Sequence, residues 1–243
     1  MQPLAPTEKM TLARLSQQIH ALSCPEQALL SQRFFKNGPG EYGEGDQFLG
    51  LKVPQVRAIL PDTDLLSDVE VITLLRSPWH EERLLALLIL VRRFEKARKD
   101  EPARARIVTS YLANTAWINN WDLVDSSAPQ VLGSWLLTHD RSILDKLADS
   151  KNLWEKRISI LATQAFIRKG EFEDTLRLCA RFLQHPHDLM HKACGWMLRE
   201  SGKRDESVLR GFLDRHAKHM PRTMLRYALE KLPDNDRRHY MWK

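Results

Sequence analysis

The sequence predicts an all-α fold, on three observations. Apolar residues recur at helical spacing along most of the 243 residues, and no stretch alternates convincingly as a strand. Apolar runs at 84–91, towards 137, and at 158–167, 193–198 and 224–232 follow one another, each opened by a group of aromatic or basic residues. Polar breaks separate the runs: Ser77-Pro78, Asp100-Glu101-Pro102, residues 149–152, Lys169-Gly170, His185-Pro186-His187 and Ser201-Gly202.

Taken in order, residues 7–35 read as helix. Thr7 is the expected cap, Glu8 sits in the first turn, and Met10, Leu12, Leu15, Ile19 and Leu22 form the stripe. Pro25 interrupts it, and a second helix runs from Glu26 to Phe34-Phe35. A loop dense in glycine follows over residues 38–46. It is acidic and lacks the G-x-x-x-x-G-K-[ST] spacing of a phosphate cradle, so nucleotide binding is excluded here. Pro54 suits the first turn of the next helix. Beyond it, Arg83, Trp121, Arg157, Lys192 and Arg226 mark successive runs at intervals of 38, 36, 35 and 34 residues. That period fits antiparallel helical hairpins of the HEAT or armadillo type, each burying its apolar face on the next. The expectation is a curved solenoid with a concave basic face; an irregular helical bundle is the alternative. No linker of domain-separating length appears. A single domain over 1–243 is expected, with N-terminal helices and the glycine-rich loop in 1–50 and repeats in 51–243.

Charge is unevenly spread. The formal net charge is +6, yet residues 1–150 hold 17 Lys+Arg against 19 Asp+Glu, and residues 151–243 hold 20 against 12. A basic second part suits a polyanionic partner or an ordinary solvated surface about equally. No apolar run is long enough to span a bilayer and the N-terminus lacks a signal-peptide pattern, so a cytoplasmic location is expected. Cys24, Cys179 and Cys194 are odd in number and have no C-x-x-C spacing, which argues against a disulfide framework and a cysteine zinc site. His185, His187 and His191 lack H-E-x-x-H spacing, and no metal is expected there. A serine hydrolase has no G-x-S-x-G to rest on.

The centre of the chain, Asn119-Asn120-Trp121-Asp122-Leu123-Val124-Asp125, carries the chemistry. In a helix Trp121 and Asp125 are i and i+4 on one face, and Trp117 extends that stripe one turn back. With Asn120 as cap, Asp122 is the acid that the helix dipole favours. Asp125 lies too far in for that, and no cation stands in its local sequence. Pro129 denies the Asp125 carbonyl its helical donor, so a bend is expected there. Further on, Trp196 is flanked by Lys192 and Arg199 at i−4 and i+3, and Gly195 leaves room for a close neighbour. Such a tryptophan is as readily a core residue as a nucleic-acid contact.

From about Phe34 to Leu232 these residues resemble the AlkD-like DNA glycosylases, a HEAT-like-repeat family of alkylation repair enzymes. The resemblance rests on Phe48-Leu49-Gly50 with Pro54 and Arg57, on Trp121 to Asp125, on Leu153-Trp154-Glu155-Lys156-Arg157, and on Gly195 to Glu200. It implies removal of purines alkylated at N3 or N7 in double-stranded DNA. The implied catalytic set is Asp125, Trp121, Trp196 and Arg157. The implied DNA-binding set is Lys52, Lys156, Lys192, Arg199 and Lys203, with Arg157 also on phosphate. The implied protein is a monomer that needs no cofactor, nucleotide or membrane. A non-catalytic helical module that binds DNA structures or proteins is the competing reading.

Overall fold

The computed structural model describes residues 11–242. The expected cap Thr7, with Glu8 and Met10, lies outside them. Among the described residues the chain is all-helical, with no strand and one isolated bridge between Gln47 and Trp79. No helix is long and apolar enough to cross a membrane. Packing groups the chain into two compact units, one ending at Leu123 and one starting at Val124.

The first unit holds α1 (Leu12–Ala21), α2 (Pro25–Phe34), α3 (Val53–Ile59), α4 (Asp68–Leu75), α5 (His80–Lys96), α6 (Glu101–Leu112) and the start of α7 (Trp121–Asp125). Thr11 caps α1 by accepting from the Arg14 N–H, and Pro25 opens α2 at a position that needs no donor. Ser67 and Glu70 close a reciprocal capping box on α4. Helix α5 is the axis of the unit: every residue from 80 to 90 is buried, and α3, α4 and α6 pack around it. A helix buried on all sides explains why its apolar run shows so little amphipathic pattern.

Gly50 locks α2 to the start of α3. Its φ of 85° is a left-handed conformation, and a Cβ there would collide with the Cys24 carbonyl oxygen and come 2.6 Å from the Ala28 nitrogen. Gly50→Ala is expected to destabilise the protein by about 2 kcal/mol, through strain and overpacking together. The shift of the urea unfolding midpoint measures it, and an unchanged midpoint would refute the close approach.

The second unit begins within α7. A turn over residues 126–128 leads to a π-helical stretch, Pro129–Gly133, then α8 (Ser134–Leu136), α9 (Ile143–Asp149), α10 (Leu153–Ala162), α11 (Gln164–Ile167), α12 (Glu173–Arg181), α13 (Asp188–Arg204), α14 (Glu206–His216), α15 (Arg222–Leu229) and α16 (Asp234–Met241). The break at Pro129 is the expected one. Proline offers no N–H to the Asp125 carbonyl, α7 stops, and the Gly133 N–H reaches back five residues to the Ala128 oxygen at 2.9 Å. Helix α13 is central here, with α10, α12, α14 and α15 packed on it. Gly195 permits a close approach of α15, since a Cβ would lie 2.5 Å from both the Met224 oxygen and the Tyr227 Cβ.

One expected feature is absent. Trp117 does not extend the α7 stripe: it sits on a separate 3-10 turn, Thr115–Trp117, and residues 118–120 are not helical.

Candidate active site

Asp125 ends α7, and its partner comes from 32 residues away rather than from nearby sequence. Arg157, on the second turn of α10, donates from Nε to Oδ1 and from Nη2 to Oδ2, both at 2.8 Å. Its third bond, from Nη1 to the Leu189 carbonyl at 2.6 Å, ties the same guanidinium to the first turn of α13. The result is a two-point carboxylate clamp held by three segments of one unit. Arg157 is 4% exposed, whereas the Asp125 side chain keeps 17% of its surface in solvent. The resemblance implies a phosphate contact for Arg157; here its donors are engaged within the protein. Its fork is spent on Asp125, and the carboxylate is the half of the pair that faces out.

Trp121 begins α7, with its N–H on the Asn120 side-chain oxygen at 2.8 Å. Its ring stacks on Phe35 at 5.4 Å between centroids and meets Phe34 edge-on at 5.7 Å. Phe35 in turn lies on Phe48 and on the His80 ring, at 5.2 and 4.7 Å. Phe34 is 64% exposed, so the pile runs from solvent to core.

At its inner end is a charge cluster that sequence reading passed over. The Gln47–Trp79 bridge, with the His80 N–H on the Gln47 oxygen at 2.8 Å, seats the end of the glycine-rich loop on the start of α5. His80 then bonds Asp46 through Nδ1 and Asp122 through Nε2, both at 2.8 Å. Arg83 pairs with Asp46 and donates to the Ser77 and Pro78 carbonyls. Next to it, the Glu81 carboxylate accepts from the Leu49, Gly50 and Leu51 N–H groups at 2.9, 2.8 and 3.2 Å. Glu82 takes the Ser16 and Ser77 hydroxyls and the His20 ring. In sequence, only Arg83 of this turn stands out, as the marker of a repeat. Four polar residues in a row at the head of an apolar run were the available signal.

Burial works against a charged imidazole at His80, but the two carboxylates, Asp122 foremost, overcome it and raise its pKa to about 9. Burial also works to raise Asp46, and the bond and charge of His80, with Arg83, hold it below its ordinary value instead. A folded pKa near 9 against an ordinary 6.5 stabilises the fold fully below pH 6.5, and that stabilisation is lost as pH rises through 9. The expected loss is about 3 kcal/mol. Unfolding free energies at pH 6.5 and 9.5 test it, and the difference should shrink in His80→Gln.

Trp196 lies half-buried on α13, donating from Nε1 to Glu200 Oε1 at 3.2 Å. Glu200 also gathers Lys203 at 2.8 Å and Arg199 at 3.3 Å, and Arg199 reaches Glu230 as well. Burial works to raise Glu200, and Lys203 with Arg199 lowers it. Lys192 pairs with Asp188 at 2.9 Å. Three of the five expected DNA-binding cations therefore carry carboxylate partners. Lys156 is half-buried and Lys52 exposed at the start of α3. Exposed pairs of this kind are worth little and exchange readily for phosphate; Arg199, 17% exposed between two acids, is the least available.

The other sequence candidates have local work. His185 Nδ1 accepts the His187 N–H, His187 Nδ1 caps α13 by accepting the Leu189 N–H, and His191 Nε2 bonds the His185 carbonyl at 2.5 Å. In the glycine-rich loop, Glu41 and Glu44 accept the N–H groups of Gly38 and Gly40, both at 2.9 Å. The acids of the loop thus satisfy its own backbone, and its last residue, Asp46, enters the core.

Comparison with known proteins bears on this geometry. A family model described as DNA alkylation repair enzyme matches residues 15–232. A solved structure, the "Predicted DNA alkylation repair enzyme from Enterococcus faecalis", superposes with a TM-score of 0.69 at 16% identity, covering 87% of this chain and 97% of that one. At that identity the likeness speaks for the fold. No curated protein matches.

Proposed function

Because the chain belongs to the DNA alkylation repair enzyme family, we propose that it is a glycosylase hydrolysing the N-glycosidic bond of purines alkylated at N3 or N7 in double-stranded DNA. The observation that carries this reading is Asp125: an outward-facing carboxylate fixed at both oxygens by a buried arginine. A purine alkylated at N3 or N7 already bears positive charge and leaves without a general acid, so one carboxylate suffices where ordinary glycoside hydrolysis uses two. Asp125 stabilises the oxocarbenium charge that develops on the sugar and orients the attacking water. Arg157 occupies two of roughly four acceptor positions on the carboxylate and holds its plane. Trp121 and Trp196 offer aromatic faces to the sugar and the cationic nucleotide. Lys52, Lys156, Lys192, Arg199 and Lys203 supply positive charge for the backbone. In this reading the protein acts as a cytoplasmic monomer of HEAT-like repeats and needs no cofactor.

The test is direct. Methylated duplex DNA is incubated with the protein, and released 3-methyladenine and 7-methylguanine are measured; DNA left intact by a folded protein refutes the proposal. A second expectation concerns the backbone contact. Lys192→Ala should lower the slope of log affinity against log salt by about one, uniformly across sequences. An unchanged slope would place Lys192 off the DNA.

One observation favours a binding module instead. Lys192, Arg199 and Lys203 are paired with acids, and Arg157 is buried, so the Asp125 clamp could be purely architectural. In that case the protein binds duplex DNA without releasing any base, and Asp125→Asn changes stability alone.

A further inference from the structure

The Asp46–His80–Asp122 chain has no part in the reaction described above, yet it is built around the same helix. Asp122 follows Trp121 directly on α7. The His80 ring meets that turn twice: through Nε2 to the Asp122 carboxylate at 2.8 Å, and through the face of Phe35, on which Trp121 stacks. We infer that His80 is a positioning residue, which sets the seat of Trp121 by holding both Asp122 and Phe35 from the core side. The inference rests on the glycosylase reading only for its effect on catalysis; the positioning itself does not depend on that reading.

The arrangement needs two ring donors. Both nitrogens face carboxylate oxygens, so the imidazolium satisfies Asp46 and Asp122 at once. A neutral ring has one N–H, and one carboxylate then faces a lone pair in a buried site. Few other groups face this ring. Asp46 is fixed on its far side by Arg83, and the Asn37 amide donates to the Asp46 backbone oxygen at 2.7 Å. Phe35 and Phe48 cover the ring with apolar surface at 4.7 and 4.8 Å. On α5, Glu81 and Glu82 are engaged with the 49–51 backbone and with Ser16, His20 and Ser77. Proton loss from His80 therefore falls first on the Asp122 and Asp46 bonds. The Asp122 side is the more exposed, at 14% of its side chain against 1% for Asp46, and it is the bond that yields. Its loss weakens the core-side hold on the first turn of α7 and shifts the Trp121 ring above Phe35.

The experiment follows the two rings together. Indole 15N resonances are recorded from pH 6 to 10, with Trp121 assigned through Trp121→Phe, alongside the ring resonances of His80. The Trp121 signal should move with His80, at a midpoint of about 9. Asp122→Asn keeps a side-chain oxygen for Nε2 but removes the charge, so both midpoints should fall together towards neutrality. In His80→Gln the alkaline step of Trp121 should vanish, and base release should drop about tenfold with DNA affinity within twofold of wild type. If either variant fails to fold, the wild-type titration still decides. A Trp121 signal that stays still while His80 titrates overturns the inference. Coupled rings in a protein that releases no base would overturn the glycosylase reading and leave the positioning intact.

Discussion

Asp125→Asn is expected to slow release of alkylated purines about a thousandfold. A carboxylate about 4 Å from a developing sugar cation, at an effective dielectric near 20, is worth about 4 kcal/mol, which is about a thousandfold in rate. The clamp sharpens this expectation. With the carboxylate present, the guanidinium behind it, roughly 8 Å from the sugar, opposes the transition state by about 2 kcal/mol at the same dielectric. With Asn at 125 that opposition remains and the attraction is gone. Asp125→Asn combined with Arg157→Met should therefore recover about thirtyfold over the single variant, the equivalent of that 2 kcal/mol. Single-turnover release from methylated DNA measures both. Near-wild-type release from a folded Asp125→Asn protein would remove the carboxylate from the mechanism.

Arg157→Ala is expected to cost about 3 kcal/mol of stability. Removing one partner of a buried ion pair typically costs 3–5 kcal/mol. The lower end applies because Asp125 retains some solvent. The Leu189 carbonyl also loses its donor, and the contacts among α7, α10 and α13 loosen with it. The double variant just described should be more stable than Arg157→Ala, since it leaves no uncompensated charge. Urea unfolding of the set decides, and a loss below about 1 kcal/mol would class the clamp with ordinary surface pairs.

What the sequence made legible, and what it did not, divides along physical lines. Helix boundaries set by proline were largely readable: the break at Pro25 was, though α2 takes Pro25 as its first residue rather than starting at Glu26, α3 carries Pro54 in its first turn, and the chain breaks at Pro129. The room that Gly195 leaves for a neighbour was also readable, and α15 fills it with the Met224 carbonyl and the Tyr227 Cβ. Long-range partners were not. Nothing near Asp125 announces Arg157, since a pairing 32 residues apart depends on how α7 and α10 pack. The same holds for His80, whose two carboxylates lie 34 and 42 residues away. Asp122 was read as a helix-start acid, which it is, but its second engagement with a buried imidazole depends on tertiary packing that local helix rules do not describe.

The end of the glycine-rich loop has a consequence for how the chain reaches this state. Helix α5 begins with His80, Glu81, Glu82 and Arg83, and all four are buried. Such a turn cannot enter an apolar interior ahead of its counter-charges, because each group would arrive desolvated and alone. Asp46 neutralises one end of it, and the N–H groups of residues 49–51 donate to the Glu81 carboxylate. Closure of residues 46–51 onto the helix and burial of α5 are therefore one cooperative event, a single unit of local unfolding whose amides open and close together.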